Sequence, residues 1–198
     1  MESGVARRPI TNWEEYDVKL RSLMGVDNQL SRRFTDAAKA SPKRVIFSEG
    51  NTDSMLRAAS TAMRIGICTP ILLGNEEMIE KRAKRLGISL DGIEIVNPRH
   101  DREADRRHEF ALKLAQKRQR QGVTYPEALE NMFDRNYFGM MMVEERLADA
   151  IICGTYSSNP LPGEIAKEVI GIRPCYKHFA SLHIVDTQKG ILFIADTA

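Results

Sequence analysis

Apolar and polar positions along this chain alternate in blocks. Short apolar runs rich in β-branched residues recur at Arg44-Val45-Ile46-Phe47-Ser48, Thr69-Pro70-Ile71-Leu72-Leu73, Ile93-Glu94-Ile95-Val96 and Ala150-Ile151-Ile152-Cys153. Between them lie longer segments in which apolar residues return every three to four positions, the period of a helix with one buried stripe. The first such segment opens at Thr52 or Asp53, whose side chain can cap a helix through Arg64, and closes at Gly66. The second, Glu76–Leu86, offers Met78, Ile79, Ala83 and Leu86 to the interior and stops at Gly87. Strands alternating with helices predict a parallel sheet with helices on its faces: a three-layer α/β/α sandwich with a mainly parallel sheet over residues 41–153.

The remaining segments are read the same way. Arg99 to Gln121 is dense in both charge signs, and Phe110, Leu112, Leu114 and Ala115 give it a partial apolar face. That pattern fits a solvated amphipathic helix better than a nucleic-acid surface, because Asp101, Glu103, Asp105 and Glu109 offset the early arginines. Lys117, Arg118 and Arg120 at its end form a local cationic cluster, which suits either an anion or the helix C-terminus. Thr124-Tyr125-Pro126-Glu127 has the form of a capping box opening a helix through Met132. Tyr137 to Leu147, with methionines at 132, 140, 141 and 142 in and near it, reads as a buried helix. A helix from Pro162 or Gly163 to Ile170 follows, then a hairpin of Ser181 to Asp186 and Ile191 to Ala195. Residues 1–40 read as a helical lead-in without a clean apolar stripe, with helices at Thr11 to Met24 and Asp27 to Ala40. Residues 154–198 read as a partial second lobe.

The chain organises around Leu147 to Ser158, where a strand runs into Gly154, Thr155, Tyr156, Ser157 and Ser158. Ala150 to Cys153 has the character of a strand covered on both faces, and Gly154 lets the backbone turn sharply at its carboxyl end. Ligands of open α/β sheets collect at that end. The residues alone leave two readings open, a buried strand before a polar turn or a ligand edge.

Composition narrows the picture only modestly. With 29 basic and 27 acidic side chains among 198 residues the formal charge is +2, so no class of partner follows from net charge. The apolar runs are too short to cross a bilayer as helices. The first ten residues lack the apolar core of a secretory signal, and the three cysteines form no CxxC pair, which makes a reducing cytoplasm the simplest compartment. His100 and His108 flank a charged helix and suit solvated or capping roles, while His178 and His183 lack zinc-ligand spacing. Cys153 reads as a buried strand thiol, and Glu49 as either a loop residue or one facing the ligand edge.

The residues carry a resemblance. Arg44-Val45-Ile46-Phe47-Ser48-Glu49-Gly50 leading to Leu56-Arg57-Ala58-Ala59, Ile71-Leu72-Leu73-Gly74-Asn75, Ala148-Asp149-Ala150-Ile151-Ile152-Cys153-Gly154-Thr155 and Phe193-Ile194-Ala195-Asp196-Thr197 stand in the order found in one family. The chain resembles the phosphotransacetylase-like domain at the C-terminus of the large bacterial NADP-dependent malic enzymes. Ser3-Gly4-Val5-Ala6-Arg7-Arg8-Pro9-Ile10 resembles the junction where the malate-oxidising part ends.

That resemblance implies a fragment of a larger enzyme. The parent would oxidatively decarboxylate malate to pyruvate, with its NADP and divalent metal held by upstream malic enzyme domains. No catalytic residue, metal ligand or cofactor site is expected in the fragment itself. The related phosphate acetyltransferases move an acetyl group between coenzyme A and phosphate. Arg118, four residues before Gly122-Val123-Thr124, matches a family phosphate-site arginine. The second arginine, of a Thr-Leu-Arg-Pro element, has no match in Asn159-Pro160-Leu161-Pro162-Gly163. The expectation is therefore a regulatory and assembly domain that senses acetyl-CoA or a related acyl-CoA, with a fragment of an active phosphate acetyltransferase as the alternative. The expected ligand edge is Gly154, Thr155, Ser157 and Ser158 with Arg118 supplying charge. Homo-oligomer formation is expected too, because the chain ends on apolar strands without a closing element; neither nucleic acid nor membrane is expected as a partner.

Overall fold

The computed structural model describes residues 29–154, 161–187 and 190–195, together with Asn12, Trp13 and Tyr16. In chain order the elements are α1 (Gln29–Ala40), β1 (Lys43–Phe47), α2 (Asp53–Ile65), β2 (Cys68–Leu73), α3 (Glu76–Leu86), β3 (Glu94–Val96), α4 (Ala104–Arg118), α5 (Tyr125–Asn131), α6 (Arg135–Glu144), β4 (Ala150–Ile152), α7 (Leu161–Val169), β5 (Leu182–Thr187) and β6 (Gly190–Ala195). Single 3-10 turns, Asp101–Glu103 and Gln119–Gln121, flank α4. The lead-in helix expected over Thr11 to Met24 lies largely outside the described residues.

Local signals set the helix ends. Thr52 Oγ1 accepts from the Met55 amide at the start of α2, Asn75 Oδ1 from Met78 at the start of α3, Thr124 Oγ1 from Glu127 at the start of α5, and Asp134 Oδ1 from Asn136 and Tyr137 at the start of α6. Each satisfies amides that the helix leaves unpaired, a contribution of about 1 kcal/mol per cap. Gly66 and Gly87 end α2 and α3 with φ of 75° and 65°, a left-handed turn that a side chain resists.

The four strands of the main sheet lie in the order β3-β2-β1-β4, all parallel. Val45 faces Ala150 and Ile46 faces Ile71 in register. Asp149 locks the start of β4 to β1, its Oδ2 accepting from the Arg44 amide and its own amide donating to Arg44 O. Because side chains alternate along a strand, the sheet serves two cores. Phe47 and Leu72 pack with Met55, Leu56, Ala59 and Ala62 of α2 and Ile79 of α3. Ile46, Ile71 and Leu73 pack on the other face with Phe110 and Leu114 of α4, Met132, Phe138 and Met140 to Met142 of α6 and its approach, and Ile165 and Val169 of α7. This is the expected three-layer α/β sandwich. A separate antiparallel ribbon pairs β5 with β6, Leu182 opposite Ala195 and Thr187 opposite Gly190, as the expected hairpin.

Three expectations need correction. β4 is an edge strand of the described sheet and is not covered on both faces: Ile152 is 45% exposed, because α2 and α3 lie over β1 and β2 while α6 covers only the Ile151 side. Met78 and Leu112, expected inside, are each 50% exposed. In both cases the buried stripe is narrower than the composition suggests, running through Ile79 and Ala83 in α3 and through Phe110, Ala111, Leu114 and Ala115 in α4.

Candidate functional site

The order β3-β2-β1-β4 means that the chain steps from β1 to β2 to β3 in one direction and then crosses back to place β4 on the far side of β1. Helices α2 and α3 serve the first direction and α4 to α6 the return, on opposite faces. Such a reversal parts the connecting loops outside the carboxyl ends of β1 and β4, the place where open α/β sheets hold ligands. Ser48, Glu49, Cys153 and Gly154 occupy those two ends. The Ser48 amide donates to Ile152 O, tying them together. Ser48 is fully buried, and its Oγ has no hydrogen-bond partner among the described residues, which is costly for a hydroxyl kept from water. Burial raises the Cys153 thiol above its ordinary pKa and the Glu49 carboxylate adds to the rise, so the sulfur stays protonated at neutral pH and is a poor nucleophile.

Gly154 lies just past β4 with φ of 98° and is exposed, with open space where a Cβ would stand. Thr155, Ser157 and Ser158 lie outside the described residues. Arg118 is at the end of α4, where its Nε donates to Glu168 O at 2.5 Å, its NH2 to Lys167 O at 2.8 Å and its NH1 to Gln121 Oε1 at 3.2 Å. Beside it, Lys117 Nζ donates to Val169 O and Ile170 O and pairs with Glu144. Two adjacent cations thus satisfy four successive carbonyls that α7 leaves open at its C-terminus, with the helix dipole in their favour. The helix-terminus role is the one the structure shows, and Arg118 keeps guanidinium hydrogens beyond those three bonds. It also lines a shallow hollow with Gln121, Glu164, Lys167 and Glu168. Among the described residues no hydrogen bond joins Arg118 to Gly154.

Tyr137 fastens α7 from the other side. Its hydroxyl donates to Glu168 Oε2 at 2.7 Å, and burial first, then that bond, push its pKa far above the ordinary value of 10.0.

A second feature of the carboxyl edge was not legible in advance. Asn51 after β1, Gly74 and Asn75 after β2, Asn97 to Arg99 after β3, and Phe133 to Arg135 at the start of α6 line a cavity of about 390 Å³. No local motif marks it, because its walls come from four loops far apart in sequence. Below it Gly50 lies flush on β2, where an added Cβ would stand 2.9 Å from Leu72 Cβ. Arg107 anchors the far wall: buried in α4, it donates from NH1 to Pro98 O and His100 O and stacks 4.6 Å from the Phe133 ring centroid. The charged run itself is a paired helix face, with Arg106 on Glu103, Arg102 on Glu76 and Lys113 on Glu109 and Glu145. His100 caps the turn before α4, its Nδ1 accepting from the Arg102 amide.

The family profile for phosphate acetyl/butaryl transferase matches residues 29–198. The chain belongs to the phosphate acetyl/butaryl transferase family. It is 32% identical to an NADP-dependent malic enzyme of Escherichia coli strain K12, over 100% of this chain but 26% of that enzyme, and 33% identical to an NAD-dependent malic enzyme of Rhizobium meliloti over 99% of the chain. It is also 28% identical to a phosphate acetyltransferase of Nitratidesulfovibrio vulgaris over 82% of the chain. In fold it is similar to the EutD phosphotransacetylase from Staphylococcus aureus and a phosphotransacetylase from Streptococcus pyogenes, with TM-scores of 0.70 and 0.72 at 24% identity, covering 83% and 84% of this chain. The chain spans about a quarter of the malic enzymes it matches and about half of those two solved chains. The resemblance to the phosphotransacetylase-like region of malic enzymes, drawn above from short motifs, therefore holds along the whole sequence.

No group of three or more His, Cys, Asp or Glu side chains among the described residues is placed to hold a metal ion. No described helix is long and apolar enough to cross a membrane.

Proposed function

We propose that this member of the phosphate acetyl/butaryl transferase family serves as a regulatory and assembly domain of a malic enzyme and senses acetyl-CoA or a related acyl-CoA. The single observation that carries the reading is the use of Arg118. The arginine matching the family's phosphate-site position is committed to the end of α7 through two carbonyls. The other arginine of the transferase pattern is replaced by Asn159-Pro160-Leu161-Pro162-Gly163. A site with one arginine partly engaged elsewhere and the second lacking is suited to holding a ligand and poorly suited to stabilising charge that develops during acyl transfer. The ligand's phosphate oxygens are received at the β1/β4 edge by the backbone and hydroxyls of Gly154, Thr155, Ser157 and Ser158, with Arg118 adding charge. The parent's NADP and divalent metal belong to its other domains.

The test titrates acetyl-CoA into the intact parent while following malate oxidation. Inhibition that is lost in Arg118→Ala and kept in Lys117→Ala, which loosens the same end of α7, supports the reading. An unmodified parent indifferent to acetyl-CoA sinks it. The alternative, a working acetyltransferase, draws on the 28% identity to phosphate acetyltransferases. Formation of acetyl-CoA from acetyl phosphate and coenzyme A by the intact parent would establish that alternative instead.

A further inference from the structure

The cavity at the ends of β1, β2 and β3 has an unusual hydrogen-bond inventory. Its three carboxamide oxygens are already engaged by the protein. Asn51 Oδ1 accepts from Arg135 NH1 at 2.7 Å, Asn75 Oδ1 from the Met78 amide at 2.9 Å and Asn97 Oδ1 from the Arg99 amide at 3.1 Å. Phe133 O accepts from Arg99 Nε, Pro98 O from Arg107, and Asp134 Oδ1 from two amides of α6. These bonds also fix each carboxamide's orientation, since a backbone N–H or guanidinium requires the oxygen, not the nitrogen, opposite it. What remains at the wall is a set of donors: Nδ2 of Asn51, Asn75 and Asn97, NH1 and NH2 of Arg99, and Nε and NH2 of Arg135. Two guanidinium charges against the one carboxylate of Asp134 leave the wall net positive.

We propose that this cavity binds a small oxyanion, a carboxylate or phosphate carried by a compact metabolite. A volume of about 390 Å³ falls at the small end of the range for metabolite pockets. Charge-assisted N–H···O bonds from several converging donors are the recognition mode for such a group. Ligands that bring only donors find no free carboxamide oxygen here, and the net positive wall disfavours cationic ones. The site shares no lining residue with the β1/β4 edge, so it is independent of the acyl-CoA reading, and binding there stands or falls without it.

Isosteric substitutions test the inference. Asn75→Asp and Asn97→Asp keep the engaged oxygen, hence the helix cap and the loop, but replace an Nδ2 donor by a charged acceptor. Inorganic phosphate and succinate are titrated separately into the full 198-residue chain in a zwitterionic buffer. Binding is read by calorimetry and by side-chain NH2 resonances in an amide correlation spectrum. The expected result is saturable binding of at least one probe, with the Asn51, Asn75 and Asn97 NH2 signals moving together. The preferred probe distinguishes a phosphate from a dicarboxylate site. Each Asp variant, and Arg135→Gln, weakens binding by roughly tenfold or more, at an unchanged melting temperature for the Asp variants. No saturable binding of either probe, or full binding by both Asp variants, overturns the proposal. So does displacement of the bound probe by coenzyme A, which would make the cavity part of the acyl-CoA site.

Discussion

Ile46, Ile71 and Leu73 in the parallel sheet are wholly withdrawn from water, whereas Ile184, Leu192 and Phe193 in the β5–β6 ribbon are 45%, 54% and 66% exposed. Both sets are ordinary strand residues, and nothing in their types separates them. The difference lies in what covers them. Over β1 and β2 the parallel sheet is sandwiched by α2 and α3 on one face and α4 to α7 on the other, so each pleat direction there meets a helix. Among the described residues the ribbon's strands pair only with each other, and both pleat directions are exposed. Strand propensity builds the backbone ladder in both places, but burial energy is gained only where a second layer exists.

The largest expected effect contrasts the two directly. Phe138 is fully buried and packs 5.2 Å from Phe110 between ring centroids. Phe138→Ala should lower stability by about 3–5 kcal/mol in urea denaturation, as expected for truncating a core aromatic. Phe193→Ala should change it by less than about 0.5 kcal/mol, the usual scale for an exposed site. Equal costs would break the comparison by revealing that something covers the ribbon in solution.

Next comes Arg107, the buried cation behind the β3 end. Arg107→Met removes two hydrogen bonds to carbonyls and leaves Pro98 O and His100 O without their donor, so the expected loss is about 2–3 kcal/mol. A variant as stable as the parent sequence would show that water reaches this wall as it reaches the ribbon. Gly139→Ala probes how tightly α6 presses on the sheet. The added methyl would lie 2.7 Å from Ile151 Cδ1 and 3.0 Å from Leu73 Cδ1. Overpacking should outweigh the gain in helix propensity, for a net loss of about 1 kcal/mol. A stabilised variant would mean that the β4 edge yields as freely as the ribbon.

The smallest effect concerns the tie between the sandwich and α7. Tyr137→Phe should cost about 1 kcal/mol at neutral pH through loss of the bond to Glu168. The raised pKa gives the sign of the pH dependence. The folded state holds the phenol proton more tightly than the unfolded chain, so this contribution is complete below pH 10.0 and is lost as pH rises beyond it. Denaturation midpoints of the two proteins should therefore converge in alkaline buffer, and a gap that widened above pH 10.0 would contradict the assignment.

Much of the sandwich could be read from neighbouring residues. Thr52 and Gly66 bracket α2, and Gly87 ends α3, because a cap and a left-handed turn involve atoms only a few positions apart. The hairpin followed from two apolar runs with a short polar turn between them, and the buried helix from its density of methionines. The candidate site was less legible. Gly154 could be placed at a strand end, but the role of Arg118 depends on carbonyls 49 and 50 residues downstream. The cavity at the ends of β1, β2 and β3 had no signature at all, since Asn51, Asn75 and Asn97 each look like an ordinary turn or capping residue until three strand ends stand side by side.

By itself the sequence determined the elements, their ends and, through the order of its motifs, the family, because those depend on short-range hydrogen bonds and on the spacing of apolar residues. Only the tertiary structure decided that β4 is an edge of the described sheet, that α4 clamps α7, and that the loops after β1, β2 and β3 bring their asparagine amide nitrogens together. The physical reason is range. Contacts such as Arg44 with Asp149, 105 residues apart, are set by which strands become neighbours. That choice is made by the whole apolar surface at once, and no single segment encodes it.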